Sequence, residues 1–416
     1  MSAGIEYQAS ACKSASRILA NAPAEQRSIA LRFMAEELRN SENEILKANS
    51  LDAERAKKLD LEKKRIAILT IDSSDISSMA DFFETVASYE DIAGKELTRI
   101  EKEDGCVISK RLVPLGVLFM ISEARPSVLC DTSAICLRSG NALLFQSSAN
   151  SANTDCAVAA SLKRAMKRAQ LPEDCITILS DTSHEAAYRI SQLANQIDLV
   201  CVRGGYGALA DIKKNAIVPV IGAGPGNCHV YVEKSAKPEM ARDIVLNSKV
   251  PRPLACNAAE TLLLDRGLSS KVISMLLDSL YEAGITLHGS EELSSVFSYI
   301  LPANEKDYLY EYFAPEMAVA LVSDIEEAIF HINRCRTPHT EVIVTEDESA
   351  AKYFTENVEA NSIGVNASTR LTDGMFFELG GEIGISTQKY PFGGPIGIRH
   401  LMQEKYFVFG KGTLRK

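Results

Sequence analysis

No two of the ten cysteines in this 416-residue chain stand in CxxC spacing. Cys106, Cys130, Cys136, Cys156, Cys175 and Cys201 fall in or beside apolar periodic segments, a distribution that fits neither a disulfide framework nor a zinc site. The six histidines, at 184, 229, 288, 331, 339 and 400, show no HxH or HExxH pattern, so no metal is expected. Basic charge is also short: 45 Lys and Arg against 55 Asp and Glu leave a net charge of −10. That argues against a chain built to neutralise nucleic-acid phosphates, and an anionic substrate would have to be held by local arginines. No apolar run approaches the length of a bilayer span, and Met1 to Gln8 lacks a basic stretch followed by an apolar core. These absences point to a protein of the reducing cytoplasm, with no membrane or nucleic-acid partner.

What is present is globular. With 46% hydrophobic and 24% charged residues, the chain is too long for one ordinary domain, and two large ones are expected. The first ninety residues read as helices, with Ile29, Phe33, Leu38 and Ile45 near helical spacing. Glu96 to Ile100 and Val107 to Leu112 then form strand-like runs around Asp104-Gly105, a hairpin expected to pair with Lys405 to Phe409 or with another subunit. Between Pro114 and Ile221, strand candidates at 115–121, 142–145, 175–179, 198–202 and 218–221 alternate with helical patterns, which predicts a parallel sheet. A second alternation runs through 228–232, 318–322, 341–345 and 362–365.

Cys256 is the residue with the most chemistry in its setting. Two prolines, Pro251 and Pro253, separate a helical stripe ending near Lys249 from the strand-like run Thr261 to Leu264, and so place the thiol on a loop with rigid flanks. A nucleophile suits that position; a small buried hydrophobe is the bland alternative. Ligands of doubly wound sheets bind at the carboxyl ends of strands, which draws attention to Arg203-Gly204-Gly205 and to Gln146-Ser147-Ser148, where hydroxyls and an amide could bond a ribose. Arg203 to Gly207 is not a full GxGxxG fingerprint, and a plain turn would read the same way. The glycine-rich run Gly222 to Asn227 joins the two α/β units as a hinge or as backbone brought close to a ligand. Arg125 follows the first strand of the first sheet, and a guanidinium there suits an acyl phosphate or a carboxylate, a surface ion pair being the alternative.

Taken together, Pro114-Leu115-Gly116-Val117, Glu123-Ala124-Arg125-Pro126, Leu137 to Ala142, Arg203-Gly204-Gly205, Gly226 to Val230, Arg252-Pro253 with Cys256 to Glu260, and Val365 to Arg370 through Glu382 to Thr387 resemble the γ-glutamyl phosphate reductases of the aldehyde dehydrogenase superfamily. The resemblance runs from about Ala30 to Arg415. It implies an α/β, aldehyde dehydrogenase-like fold of two doubly wound domains with a small β-hairpin oligomerisation element. A cofactor domain would comprise 1–93 and 114–226, with 367–401 returning to it; a catalytic domain would span 227–366, and bridging strands 94–113 and 402–416.

The activity implied is NADPH-dependent reduction of L-glutamyl 5-phosphate to L-glutamate 5-semialdehyde with release of phosphate, the second step of proline biosynthesis from glutamate. Cys256 would be the nucleophile, Arg125, Asn227, Arg252, Asn257, Arg370 and Ser386 would bind substrate, and Gln146, Ser147, Ser148, Arg203, Gly204, Gly205 and Glu311 would bind the cofactor. A homo-oligomer and association with glutamate 5-kinase are the partners implied. Three departures matter. Gly222 stands where hydrolytic aldehyde dehydrogenases and these reductases carry a glutamate, which removes a base able to activate water. Gln146-Ser147-Ser148 replaces the reductases' Arg-Gly-Gly, which leaves NADH open beside NADPH. Phe392-Gly393-Gly394-Pro395 follows the broader superfamily. The glycine loop is also similar to that of coenzyme-A-acylating aldehyde dehydrogenases, the alternative enzyme, and the two substitutions leave a catalytically silent oligomeric paralogue as a third reading.

Overall fold

Apolar residues at helical spacing build five helices before residue 90, Ile5–Leu19, Ala24–Asn40, Glu42–Lys58, Lys63–Leu69 and Ser73–Ser88, in a computed structural model that describes residues 4–204, 206–222, 224–335 and 337–415. Their buried faces carry Leu31, Met34, Leu38, Ile45 and Phe83; of the expected stripe Leu38 and Ile45 are buried, whereas Ile29 and Phe33 stand half-buried at its edge. The hairpin follows as β1 (Glu96–Glu101) and β2 (Val107–Pro114), turned at Gly105 with φ +78°. The C-terminal strand Met402–Phe409 lies antiparallel on β2, from Met402 opposite Pro114 to Phe409 opposite Val107. Tyr406, Val408 and Phe409 remain exposed on this three-stranded sheet.

The first sheet proper contains β3 (Val117–Ser122), β4 (Ala142–Gln146), β5 (Ile176–Ile178), β6 (Leu199–Arg203) and β7 (Val220–Gly222), all parallel in the order β5-β4-β3-β6-β7. The chain starts at the centre, winds to one side and then to the other, so the order reverses between β3 and β6. β4 is buried throughout, as a strand covered on both faces should be.

The second sheet is also parallel: β8 (Cys228–Val232), β9 (Ala259–Asp265), β10 (Thr286–Gly289), β11 (Ile300–Pro302), β12 (Glu316–Val322), β13 (Thr340–Val344) and β14 (Ser362–Val365), in the order β11-β10-β12-β9-β8-β13-β14. One face packs Val230, Val232, Leu262 and Leu264 against the helices Pro238–Lys249 and Ser270–Glu282. The other packs Tyr231, Leu263 and Ile343 against Ile325–Cys335 and Glu348–Asn357. Alternation along each strand sorts residues to the two faces. β10 and β11 have no counterpart in the sequence reading, being short strands of four and three residues.

Two compact units result. One comprises Met1–Gly222, Glu378–Gly384 and Ile396–Lys416, the other Ala223–Phe377 and Ile385–Pro395. The segment 367–401, expected to return to the first unit as one block, is therefore divided. The Asn361 amide explains part of this, because it donates to the carbonyls of Ser386 (2.8 Å) and Gln388 (3.3 Å) and ties 386–388 to the edge of β14.

In the first unit, Asp155 is buried in the helix Ala152–Arg168 and accepts the Ser151 hydroxyl at 2.8 Å. Burial nonetheless pushes its carboxyl up to about 7. The folded chain thus keeps a proton that the unfolded chain releases above its ordinary value of 3.8, and stability falls as pH rises between these limits. Asp155→Asn, which cannot ionise, should match the wild type near pH 4 and exceed it at pH 8. The two curves should separate by at most about 1.4 kcal/mol per pH unit, read by urea unfolding. Parallel curves would show that Asp155 is ionised in the fold.

Candidate active site

Cys256 sits in a turn between the end of the helix Pro238–Lys249 and the start of β9, as its flanks predict, and is half-buried. The turn is held by Ala255 N–H on the Arg252 carbonyl (3.1 Å) and Ala258 N–H on that of Ala255 (2.9 Å). Its two ends are joined by an ion pair absent from the sequence reading. Lys249 Nζ, on the last residue of the helix, lies 2.7 Å from Glu260 Oε2 in β9, and both side chains are fully buried. Burial pushes Lys249 down and Glu260 up, to about 8, while their mutual attraction opposes both shifts. The charge of Glu311 adds to the upward push on Glu260, which brings that half-buried residue into the same neighbourhood.

Gly226 lies beneath the turn. A Cβ there would stand 2.3 Å from the Cys256 carbonyl oxygen and 3.1 Å from the His339 ring, so only glycine fits. A Cβ on Gly224 would likewise strike the Thr387 hydroxyl at 2.2 Å, an oxygen that accepts the Gly224 N–H at 3.1 Å. The glycine loop thus brings backbone against protein. Buried Cys228 completes this support, its Sγ 3.4 Å from the Cys256 carbonyl and 3.4 Å from His339 Nδ1. Strand register shifts between Cys228 and His229, an irregularity of the kind that re-aims residues beside sites.

The structure gathers several of the expected substrate residues around this turn. Asn257 is buried, and its Nδ2 donates to the carbonyls of Thr372 (2.8 Å) and Arg370 (3.5 Å). Arg370 is half-buried in a short 3-10 turn. Arg252 is exposed four positions before the thiol. Asn227 is buried with its amide committed at both ends, Nδ2 to the Tyr308 carbonyl (2.7 Å) and Oδ1 to the Thr261 hydroxyl (3.0 Å). Ser386 is fully buried and its hydroxyl oxygen accepts the Gln388 N–H (3.1 Å), an arrangement that supports the backbone rather than presenting a group to a ligand. Asn227, Cys256, Glu311 and His339 all precede the strands they lead into, so this site lies at the amino ends of the second sheet, not at the carboxyl ends where the first sheet's cavity opens.

In the first unit a cavity of about 350 Å³ opens at the carboxyl ends of β3 and β4, lined among others by Ser122, Gln146, Ser147, Ser148, His184 and Asp211. Gln146 Nε2 is held by the carbonyls of Asp181 (3.2 Å) and Ser183 (2.9 Å). This cradle, a mostly apolar lining carrying a few convergent hydroxyl and amide groups beside the point where strand order reverses, fits a nucleotide. Its described lining has no lysine or arginine. Arg203 ends β6 and donates from Nη1 to the Ile383 carbonyl (3.1 Å), with Gly204 leading toward the next helix. Gly205 lies outside the described residues. Half-buried Arg125 stands before the helix Ser127–Ser139, and its charge, with that of Arg203, pulls down the Asp131 carboxyl that burial raises to about 6. Gly222 ends β7, where a Cβ would meet Leu209 at 2.5 Å and the Val202 carbonyl at 3.1 Å. A side chain there would have to shift the Leu209 methyls and would crowd the Val202 carbonyl.

Four of the other thiols are poorly suited to nucleophilic work. Burial pushes Cys130, Cys136 and Cys228 well up and Cys335 to about 12. Losing one member of the Lys249–Glu260 pair leaves an uncompensated buried charge, so Lys249→Met should cost roughly 3–5 kcal/mol of stability in urea unfolding. Adding Glu260→Leu in the same chain should restore most of that; no recovery would mean that the pair acts as more than a mutual neutraliser.

The sequence profile of the aldehyde dehydrogenase family matches residues 2–289 and 301–406. The chain is 38% identical over 408 residues to γ-glutamyl phosphate reductase 1 of Bacillus licheniformis, covering 98% of each chain. The crystal structure of the γ-glutamyl phosphate reductase of Thermotoga maritima superposes with a TM-score of 0.93 at 33% identity, covering all of both chains. An acetylating aldehyde dehydrogenase of Geobacillus thermoglucosidasius shares the fold, with a TM-score of 0.74 at 18% identity over 99% of this chain and 97% of that one.

Proposed function

The chain belongs to the aldehyde dehydrogenase family, among its γ-glutamyl phosphate reductases, and on that premise we propose that it reduces L-glutamyl 5-phosphate to L-glutamate 5-semialdehyde through a thioester on Cys256. The observation that carries the assignment is a half-buried thiol on a turn pinned at both ends by a buried ion pair and backed by a glycine that admits no side chain. A nucleophile held in this way needs little reorganisation before attack.

In the proposed reaction the Cys256 thiolate attacks the acyl carbon and its backbone N–H, with a second donor, steadies the oxyanion. The C–O bond to phosphate breaks, phosphate departs with the bonding pair, and the acyl group remains on sulfur. A bound reduced nicotinamide supplies the hydride that converts this thioester to aldehyde and returns the thiolate. Arg252 and Arg125 are the proposed anion ligands, because a guanidinium fork matches phosphate and carboxylate oxygens. Arg370 and Asn257 are the proposed partners of the substrate's amino-acid end; Asn227 and Ser386 contribute by holding backbone. Gln146, Ser147, Ser148, Arg203 and Gly204 are assigned to the dinucleotide, and Glu311 to its nicotinamide ribose.

NADPH is the proposed cofactor, with NADH close behind. A 2′-phosphate in this cradle would meet hydroxyls, amides and His184 where a guanidinium would discriminate more strongly. The exposed aromatic and aliphatic residues of the C-terminal strand are the proposed surface for a second copy of the chain. An acyl phosphate hydrolyses readily, which makes association with the glutamate 5-kinase that forms it chemically useful.

Purified protein should oxidise glutamate semialdehyde in the presence of phosphate and NADP⁺, and Cys256→Ala should lower that rate by about four orders of magnitude or more. NADP⁺ and NAD⁺ should differ in kcat/KM by about tenfold or less, since neutral hydrogen bonds distinguish them. Turnover with coenzyme A and not with phosphate would replace this reading by the acylating one, and folded but silent protein would replace it by the inactive paralogue.

A further inference from the structure

Behind β8, on the face opposite Val230, three soft donors meet. His229 is fully buried on the strand, while His331 and Cys335 project four residues apart from one side of the helix Ile325–Cys335. One ligand-capable atom from each lies within 4.8 Å of the others. The His229 Nε2 to Cys335 Sγ separation is 3.7 Å, close to the roughly 3.6 Å edge of a tetrahedral zinc site with Zn–N near 2.0–2.1 Å and Zn–S near 2.3 Å.

The surroundings of the cluster are those of a ligand set. Glu341 Oε2 accepts from both the Nδ1 and the backbone N–H of His229, each at 2.8 Å. That fixes the ring and leaves the Nε2 lone pair toward Cys335, the carboxylate-histidine arrangement that orients metal-bound imidazoles. His331 is about nine-tenths buried, yet its Nε2 has no hydrogen-bond partner among the described residues. Its ring makes only edge contacts with His229 (5.5 Å) and Tyr308 (5.6 Å), which account for its packing but not for its orphaned nitrogen. A polar cavity of about 400 Å³ is lined by Glu341, the residue that buttresses His229, together with Asn333 and Thr337.

We infer that His229, His331 and Cys335 bind a zinc ion, with Glu341 as the buttress of His229 and water in the fourth position. On binding, the Cys335 S–H bond breaks, the proton leaves to solvent and the thiolate forms the Zn–S bond. The Cys335 thiol lies 3.2 Å from the His331 carbonyl and 3.4 Å from the Tyr308 carbonyl, the oxygen that also accepts the Asn227 amide. Zinc would clamp the helix to β8 through these side chains. The inference stands apart from the reductase reading, since it uses none of the residues assigned to that reaction as ligands. Spacing rules miss such a site because His229 and Cys335 are 106 positions apart.

Chelator-treated full-length protein, titrated with Co²⁺ and then Zn²⁺, tests it. The expected result is about one equivalent of either ion per chain, with a thiolate-to-cobalt charge-transfer band and tetrahedral visible bands that zinc abolishes. Cys256→Ser should keep the band. Cys335→Ser should lose it, and His331→Gln should weaken affinity by two orders of magnitude or more. Glu341→Gln should weaken it by about 10–100-fold. Circular dichroism confirms that each variant is folded, and His331→Gln serves if Cys335→Ser is not. No band from folded wild type, a band lost in Cys256→Ser, or equal uptake by wild type and the His331→Gln variant would each overturn the site.

Discussion

A reactive thiol must be reachable while the loop that carries it stays still, and in this chain the buried Lys249–Glu260 contact reconciles the two. It joins the last residue of a helix to the second residue of a strand, so the intervening turn has fixed ends. A pair of apolar residues could close the same loop at lower desolvation cost, because taking two charges out of water is expensive even when they meet at 2.7 Å. The ionic version adds direction. Its partners approach along one line and in one register, whereas methyl groups would tolerate sliding. The nearby charge of Glu311 extends this electrostatic frame, with its effects felt at Lys249, Glu260 and Cys228.

The glycine loop works by exclusion. Gly226 permits the Cys256 carbonyl to approach within a distance that any Cβ would forbid, and Gly224 does the same for Thr387. Sequence alone allowed such a loop to be a hinge or a place where backbone meets a ligand. The close approach is instead made by the protein's own turn. Sterics set where the Cys256 turn stands, electrostatics hold the ends of its loop, and Cys228 fills the space below.

Much of the fold was legible because its signals are local. β-branched and aliphatic runs bounded by turn residues gave the strands of the first sheet, Asp104-Gly105 gave the hairpin, and the prolines at 251 and 253 placed Cys256 on a turn. Strands β10 and β11 escaped because four and three residues carry too little periodicity. Pairing between distant residues escaped for a different reason. Glu260 reads as one more position in an apolar strand until the helix end bearing Lys249 is laid against it. His229, Glu341, His331 and Cys335 likewise carry no shared pattern, since a strand neighbour and a helix face bring them together. The proposed substrate and cofactor residues came mainly through family resemblance. Of these, Gln146, Ser147 and Ser148 could also be placed by their position at the carboxyl end of β4.

Gly222 shows how a missing side chain can shape a reaction. The residue ends β7, opposite Val202, and Leu209 occupies the space in which a side chain would begin. A side chain at that point would have to push the Leu209 methyls aside and would crowd the Val202 carbonyl. For a thioester on Cys256, the consequence is chemical. Hydrolysis requires a base to take a proton from water as it attacks, whereas phosphate at neutral pH already carries the nucleophilic oxygen and needs no such help. In the proposed reaction, a chain without such a base would lose its thioester to water more slowly while still exchanging it with phosphate, which needs no base.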